Sequence, residues 1–236
     1  MNTLEEVENA IRERFKVLSW HPLFKETIEL DNYELKEVLN FFDDVRGRRV
    51  LDVGCGKGRF CRILSLKGAD VVGLDFVEIF LQKAKENVAG AQFVLGSVIK
   101  IPFPADTFDL LLCVETLQHI PDTKAAICEM VRVLKPNGRI IIIDKNLISL
   151  DPKWLLPSAI IKEYLELKGK WMYPKDFVFT EKRFLPGGVV KILKGLCQKA
   201  EVRYLMRVKY RRFKIRQILF LLLPFLCEDV AWEAIK

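Results

Sequence analysis

Histidine is nearly missing from this chain of 236 residues: His21 and His119 are the only two. Neither lies near a cysteine in a zinc spacing, so no metal site is expected. The six cysteines (Cys55, Cys61, Cys113, Cys128, Cys197 and Cys227) form no C-x-x-C pair and fall within expected strands and helices. They read as reduced core thiols of a cytoplasmic protein, not as a disulfide frame. No apolar run approaches the ~20 residues of a membrane-spanning helix. Glu5, Glu6 and Glu8 stand where a secretory leader would be basic and then apolar, so none is expected. Repeats and low-complexity linkers are also lacking. With half of its residues apolar, the chain has enough for one large core, and a single domain is expected over 1–236.

What is present is concentrated in residues 50–58, Val-Leu-Asp-Val-Gly-Cys-Gly-Lys-Gly. Val50, Leu51 and Val53 suit a buried parallel strand, and glycines at alternate positions let the backbone turn and meet a ligand with no Cβ in the way. A dinucleotide loop needs G-x-G-x-x-G, but Arg59 holds the place of its third glycine. A phosphate loop needs Ser or Thr after the lysine, and none follows Lys57 in frame. Asp52 would repel a pyrophosphate and suits a cationic ligand. A nucleoside without a diphosphate fits better.

This stretch resembles motif I of class I S-adenosylmethionine-dependent methyltransferases, in the small-molecule, type 11-like branch written L-D-x-G-C-G-x-G. Further segments follow the family's order: Val71 to Asp75, Ile101 to Pro104, Phe108 to Val114, Leu117 to Asp122 and Glu129 to Asp144. The likeness covers about residues 48–145. It implies a Rossmann-like, doubly wound α/β fold: seven mostly parallel strands, helices on both faces and an antiparallel last strand. Strand signals near 49–54, 70–75, 91–95, 108–114 and 138–144 alternate with helical segments, as such a sheet requires. Further strands are expected at 202–208 and 229–235, and a helix from Pro186 to about Lys199. Two helices within 1–45 are expected to form a lid, 46–145 the cofactor core and 146–236 the acceptor side.

The resemblance implies S-adenosyl-L-methionine as cofactor and assigns residues to it. Gly54, Cys55 and Gly56 are expected to offer backbone to the methionine part, with Gly58 in the same cofactor-binding loop, Asp52 to lie near its ammonium group and Asp75 to accept from the ribose hydroxyls. Phe76 is expected to flank the adenine and the Val98 backbone to take part in recognising it, while Val114, at the end of the fourth strand, is expected to border the cofactor. Ser97 departs from the pattern, because many relatives carry there an aspartate that receives the adenine amino group. A neutral hydroxyl makes a weaker contact than a carboxylate.

Charge divides the chain. Residues 1–145 hold 20 Lys/Arg against 22 Asp/Glu, whereas residues 146–236 hold 18 against 9. Seven basic residues and no acid lie between Arg203 and Arg216, followed by an apolar run at 218–226. Basic residues beside an apolar stretch suit peripheral contact with an anionic membrane through 203–227, or equally a solvated face before a buried segment. Aromatics crowd 151–185 (Trp154, Tyr164, Trp171, Tyr173, Phe177, Phe179 and Phe184), as a cap over an acceptor or as ordinary packing.

Methyl transfer from a sulfonium needs alignment and exclusion of water; an alcohol or phenol acceptor also gains from a base. His119 and Glu115 are the candidates by position, with His21 as a further residue facing the acceptor. A small-molecule or lipid- or glycan-linked acceptor methylated on oxygen is the expected chemistry. A non-catalytic cofactor-binding module and an RNA or protein methyltransferase are the alternatives. Nucleic-acid amino-methylation is disfavoured, since Cys113-Val114-Glu115-Thr116 replaces an Asn/Asp-Pro-Pro-aromatic motif.

Overall fold

The computed structural model describes residues 3–22, 24–151, 155–205, 220 and 222–236. Two amphipathic helices come first. α1 (Leu4–Val17) starts with a capping box: the Glu6 amide donates to Thr3 Oγ1 at 3.2 Å, and the Thr3 amide donates to Glu6 Oε2 at 2.7 Å. α2 (Tyr33–Phe42) is capped by Asn32, whose side chain accepts from the Leu35 amide.

Strands and helices then alternate: β1 (Arg49–Val53), α3 (Arg59–Leu66), β2 (Asp70–Asp75), α4 (Glu78–Asn87), β3 (Gln92–Leu95), β4 (Phe108–Val114), α5 (Thr123–Val133) and β5 (Leu134–Lys145). The chain continues through α6 (Ser158–Leu167), α7 (Pro186–Lys194), β6 (Lys199–Leu205) and β7 (Asp229–Ile235). The seven strands lie in the order β3-β2-β1-β4-β5-β7-β6, the first five parallel. β7 runs antiparallel to both neighbours. The expected fold class is therefore the observed one.

Because successive strand residues face opposite sides, the apolar runs of β1, β4 and β5 feed two cores. Leu51, Val53, Leu111, Cys113, Ile140 and Ile142 face α5 and α7, and Val50, Leu110, Leu112, Ile141 and Ile143 face α2 and α3. A third cluster joins Ile11 and Phe15 of α1 to Val77, Phe80 and Tyr173. It lies beyond the carboxyl end of β2, where open α/β sheets hold their ligands.

Two boundaries differ from expectation. β5 begins at Leu134, not near 138, because Leu134 already pairs with Phe108 across a register shift, with Asn137 left-handed at φ 63°. α7 stops at Lys194, not near Lys199: Gly195 caps it, and the Gln198 amide donates to Ile235 O, drawing the chain into β6. The sixth strand ends its described part at Leu205, so the expected 206–208 and most of the 209–227 insertion lie outside the described residues. The same is true of Trp154.

Candidate active site

A cavity of about 970 Å³ opens at the carboxyl ends of β1, β2 and β4, beneath α1 and the start of α2. Its first half is the glycine turn after β1. Gly54 and Gly56 have φ of 70° and 53°, which side chains rarely adopt. A Cβ on Gly54 would collide with the Thr116 side chain, whereas one on Gly56 would meet nothing within 4 Å. Gly56 is thus the point where a ligand can touch bare backbone. Gly54 serves packing, and so does Gly58, which opens α3 against Val88.

Two buried carboxylates face this half. Asp75 Oδ2 accepts from the Gly56 amide and Oδ1 from the Val77 amide, both at 2.9 Å, so the acid that ends β2 also holds the loop. Asp52 accepts from the Cys61 thiol at 3.2 Å. Burial pushes both up to about 6, opposed at Asp75 by its backbone amides and at Asp52 by the Cys61 hydrogen bond and Arg59. Phe76, Ser97, Val98 and Val114 line the same half, and Cys55 sits buried below the turn. Apart from Gly58, the cofactor residues read from the sequence therefore line one cavity.

The second half is built of side chains that the motifs did not mark. Arg59 Nη2 donates to Glu115 Oε2 at 3.0 Å, and its Nη1 lies 3.6 Å from Glu34 Oε2. Lys145 Nζ donates to Glu115 Oε1 and to Asp229 Oδ1, both at 2.9 Å. Tyr33 Oη lies 2.6 Å from Asp229 Oδ2 and 3.2 Å from Glu34 Oε1. The six side chains close a ring drawn from α2, α3, the turn after β4, β5 and β7, and all but Asp229 line the cavity. Glu34 is only 3% exposed, and burial, followed by the nearby Glu115 charge, raises its pKa against the pull of Arg59 and Lys145. Glu115 itself is held left-handed at φ 52°, the kind of strain that collects at functional sites.

His119 borders the cavity but is poorly placed to take a proton. Glu181 Oε1 and Asp144 Oδ1 each lie 3.0 Å from one end of the Gln118 amide, which sets its nitrogen there and turns its oxygen toward His119 Nε2 at 3.2 Å. That leaves His119 Nδ1 to accept from the Tyr173 hydroxyl at 3.1 Å. Burial lowers the imidazole pKa to about 3, so the ring stays neutral with both nitrogens engaged. The base expected at His119 is therefore a ring with a hydrogen-bond partner at each nitrogen. Glu115, the other base expected from the sequence, has both oxygens in ion pairs. His21 is not among the cavity residues; it sits in the turn that ends α1, its amide bonded to Leu18 O. Of the aromatic segment, Trp171 reaches the cavity, Tyr173, Phe177 and Phe179 pack under α1, and Tyr164 is exposed.

A family model described as a methyltransferase domain matches residues 51–142, the segment from within β1 into β5. The demethylmenaquinone methyltransferase of Staphylococcus epidermidis is 32% identical over 173 residues, covering 64% of this chain and 70% of that protein. The chain belongs to the class I S-adenosylmethionine-dependent methyltransferases, in the type 11-like branch. Another member, the ubiquinone biosynthesis O-methyltransferase of Alkalilimnicola ehrlichii, is 31% identical over 58% of this chain and 56% of its own. The chain spans about half the length of several of the ubiquinone-biosynthesis methyltransferases it matches. The S-adenosylmethionine-dependent methyltransferase of Mesorhizobium loti superimposes with a TM-score of 0.67 at 21% identity, over 87% of this chain and 99% of that one, and so shares the fold.

S-Adenosylmethionine is the cofactor of this methyltransferase family, and the first half of the cavity fits it. Gly56 leaves open space for the ligand, and two buried carboxylates, pushed up to about 6 and so still ionised at neutral pH, suit a cationic amino acid and a pair of hydroxyls. Among the described residues no metal-binding cluster occurs and no helix is long and apolar enough to cross a membrane.

Proposed function

We propose that the protein methylates an oxygen of a small phenol- or quinol-type acceptor, lipid-linked, and that the ring of Tyr33, Glu34, Arg59, Glu115, Lys145 and Asp229 receives the acceptor proton. The observation that carries this reading is the opening of that ring onto the same cavity as Gly56. When bound, the cofactor supplies a methyl carbon on a sulfonium, open to displacement by a nucleophile in line with the sulfur. Gly54, Cys55, Gly56 and Gly58 shape the turn that accepts its methionine part, with Asp52 facing the ammonium group. Asp75 orients the ribose, while Phe76, Val98 and Val114 hold the adenine.

Among its six described side chains the ring holds three acids and two bases, so one of its acids can take a proton. Glu34 is the member that burial already inclines to protonation. A proton leaving a phenol can lodge there, with Tyr33 and Arg59 holding the carboxyl in place. His119 acts as a neutral wall that fixes Tyr173 beneath α1. The lid residues Phe15, Phe24, Trp171 and Met172 keep water from the methyl group.

The names of the quinone-pathway relatives favour such an acceptor. Exposed apolar residues on α6, Ile160, Tyr164 and Leu167, recur at helical spacing, and exposed Leu147, Ile148, Leu222 and Phe225 add to the apolar surface of the acceptor half. Beside them in sequence lie six basic residues at 207–216, outside the described residues. This surface suits a cytoplasmic protein that meets an anionic bilayer and takes its acceptor from it. Arg203 is not part of it, being paired with Glu37 and Glu233. Methyl-labelled cofactor incubated with membrane lipids and with soluble phenols tests the reading. Label in an ether-linked methyl of a lipid quinol supports it, and no label in either pool overturns it. Equal partition to neutral and anionic vesicles at low salt overturns the membrane part.

A further inference from the structure

Ser97 stands at the end of the cavity that Phe76 and Val98 border, and its hydroxyl is turned toward the lid. Ser97 Oγ donates to Glu8 Oε1 at 2.7 Å, joining positions 89 residues apart in the chain. Glu8 lies on α1 and itself lines the cavity. α1 is fastened above this end by Arg12, whose Nε donates to Phe76 O at 3.0 Å and whose guanidinium lies 5.7 Å from the centre of the Phe76 ring. One turn further on, Phe15 meets the Phe76 ring edge-on at 6.1 Å.

We propose that Glu8, held by Ser97, is the carboxylate that reads the adenine amino group of the methyl donor, so that the lid helix is part of the cofactor site. The proposal rests on the donor assignment above. An amino group is told from an oxo group by an acceptor aimed at it, and a buried site discriminates strongly only when its polar group is left unpaired by the wrong ligand. The other two cavity carboxylates at the strand ends are engaged elsewhere: Asp75 holds backbone amides, and Asp52 lies under the glycine turn. Ser97 uses its proton on Glu8, which fixes the carboxylate and leaves Glu8 Oε2 with no hydrogen bond among the described residues. A carboxylate at position 97 would itself repel Glu8, so serine and glutamate here are matched choices. By reciprocity, an adenine ligand that binds Glu8 also favours α1 in its docked position.

Calorimetry with S-adenosyl- and S-inosyl-homocysteine, which differ at the amino-bearing carbon, tests this on the full chain. The unaltered protein should prefer the adenosyl ligand, and Glu8→Gln should cut that preference about tenfold or more, the usual effect of losing a hydrogen bond to a charged group. Adding Ser97→Asp to Glu8→Gln should restore it, because a carboxylate returns to the same end of the cavity. A preference that survives Glu8→Gln within twofold overturns the proposal, as does a loss that Ser97→Asp fails to repair. If neither nucleoside binds the unaltered protein, the donor assignment itself falls. Binding of both ligands that Asp75→Ala weakens but Glu8→Gln leaves alike removes this proposal alone.

Discussion

The two halves of the cavity are made in different ways. The cofactor half is a turn of main chain: one strand, three glycines, the helix after them, and an acid on the next strand that bonds back to a loop amide. The acceptor half is a ring of long side chains gathered from α2, α3, β5, β7 and the turn after β4. The first is rigid because few backbone conformations satisfy it; the second is held by charge pairs, which on the proposed reading also take up the acceptor proton. The contrast teaches that one half is committed to a ligand shape, while the other is tuned by protonation.

The strongest test of the contrast is to spoil the main chain. Gly54→Ala adds a Cβ that strikes Thr116 at a φ of 70°, so it should cost roughly 4 kcal/mol of stability and remove cofactor binding, read by thermal melting and calorimetry. Glu34→Gln should do the reverse. It should lower kcat roughly 100-fold while leaving the cofactor Kd within about twofold, because it removes a proton acceptor from the other half. Equal losses in both quantities would mean that the halves are not separate.

Acidity should part them as well. Asp52 and Asp75 have native pKa values of about 6, above those of the unfolded chain, so their contribution to stability is full below the unfolded values and is lost as pH rises through 6. At neutral pH the ligand-free protein therefore bears two costly charges, which a cationic ligand relieves. The rise in Tm on adding S-adenosylmethionine should be larger at pH 7.5 than at pH 5, and binding near pH 6 should release protons, measurable in buffers of different ionisation heat. The smallest effect is expected at His119. His119→Gln should lower kcat less than about tenfold and leave the pH profile unchanged, since the ring is already neutral over that range. A profile that loses a limb near 6.5 would restore histidine as the base.

The same contrast explains what could be read from residues alone. Strands β1 to β5 and the glycine turn are local patterns: apolar runs, alternate glycines, an acid at a strand end. Asp52, Gly56, Asp75, Phe76 and Val98 accordingly stand where the motif order places them. The ring is not local, since Lys145 and Asp229 are 84 residues apart and Tyr33 and Asp229 are 196 apart. One signal was present. Glu34 lies four residues before Val38 and eight before Phe42, on the buried stripe of α2, where an acid has no reason to be unless something pairs with it. Glu8 gave a weaker signal, on the same face of α1 as Ile11 and Phe15. The seat of His119 was unreadable because Tyr173 comes from a distant segment, and Gln118, though its neighbour, is turned by Asp144 and Glu181.

The place of β7 carries one more consequence. It inserts between β5 and β6 and brings Asp229 to Lys145, so the acceptor floor closes only when a strand distant in sequence enters the sheet. Contacts of long sequence separation form late, because the loop entropy must be met before they give anything back. During synthesis and refolding, the glycine turn can assemble from β1, α3 and β2 while the ring of charged side chains is still open. A folding intermediate of this chain should accordingly bind the nucleoside before it can turn over, and pulse-labelling hydrogen exchange during refolding would show the β1–β2 amides protected ahead of those in β7.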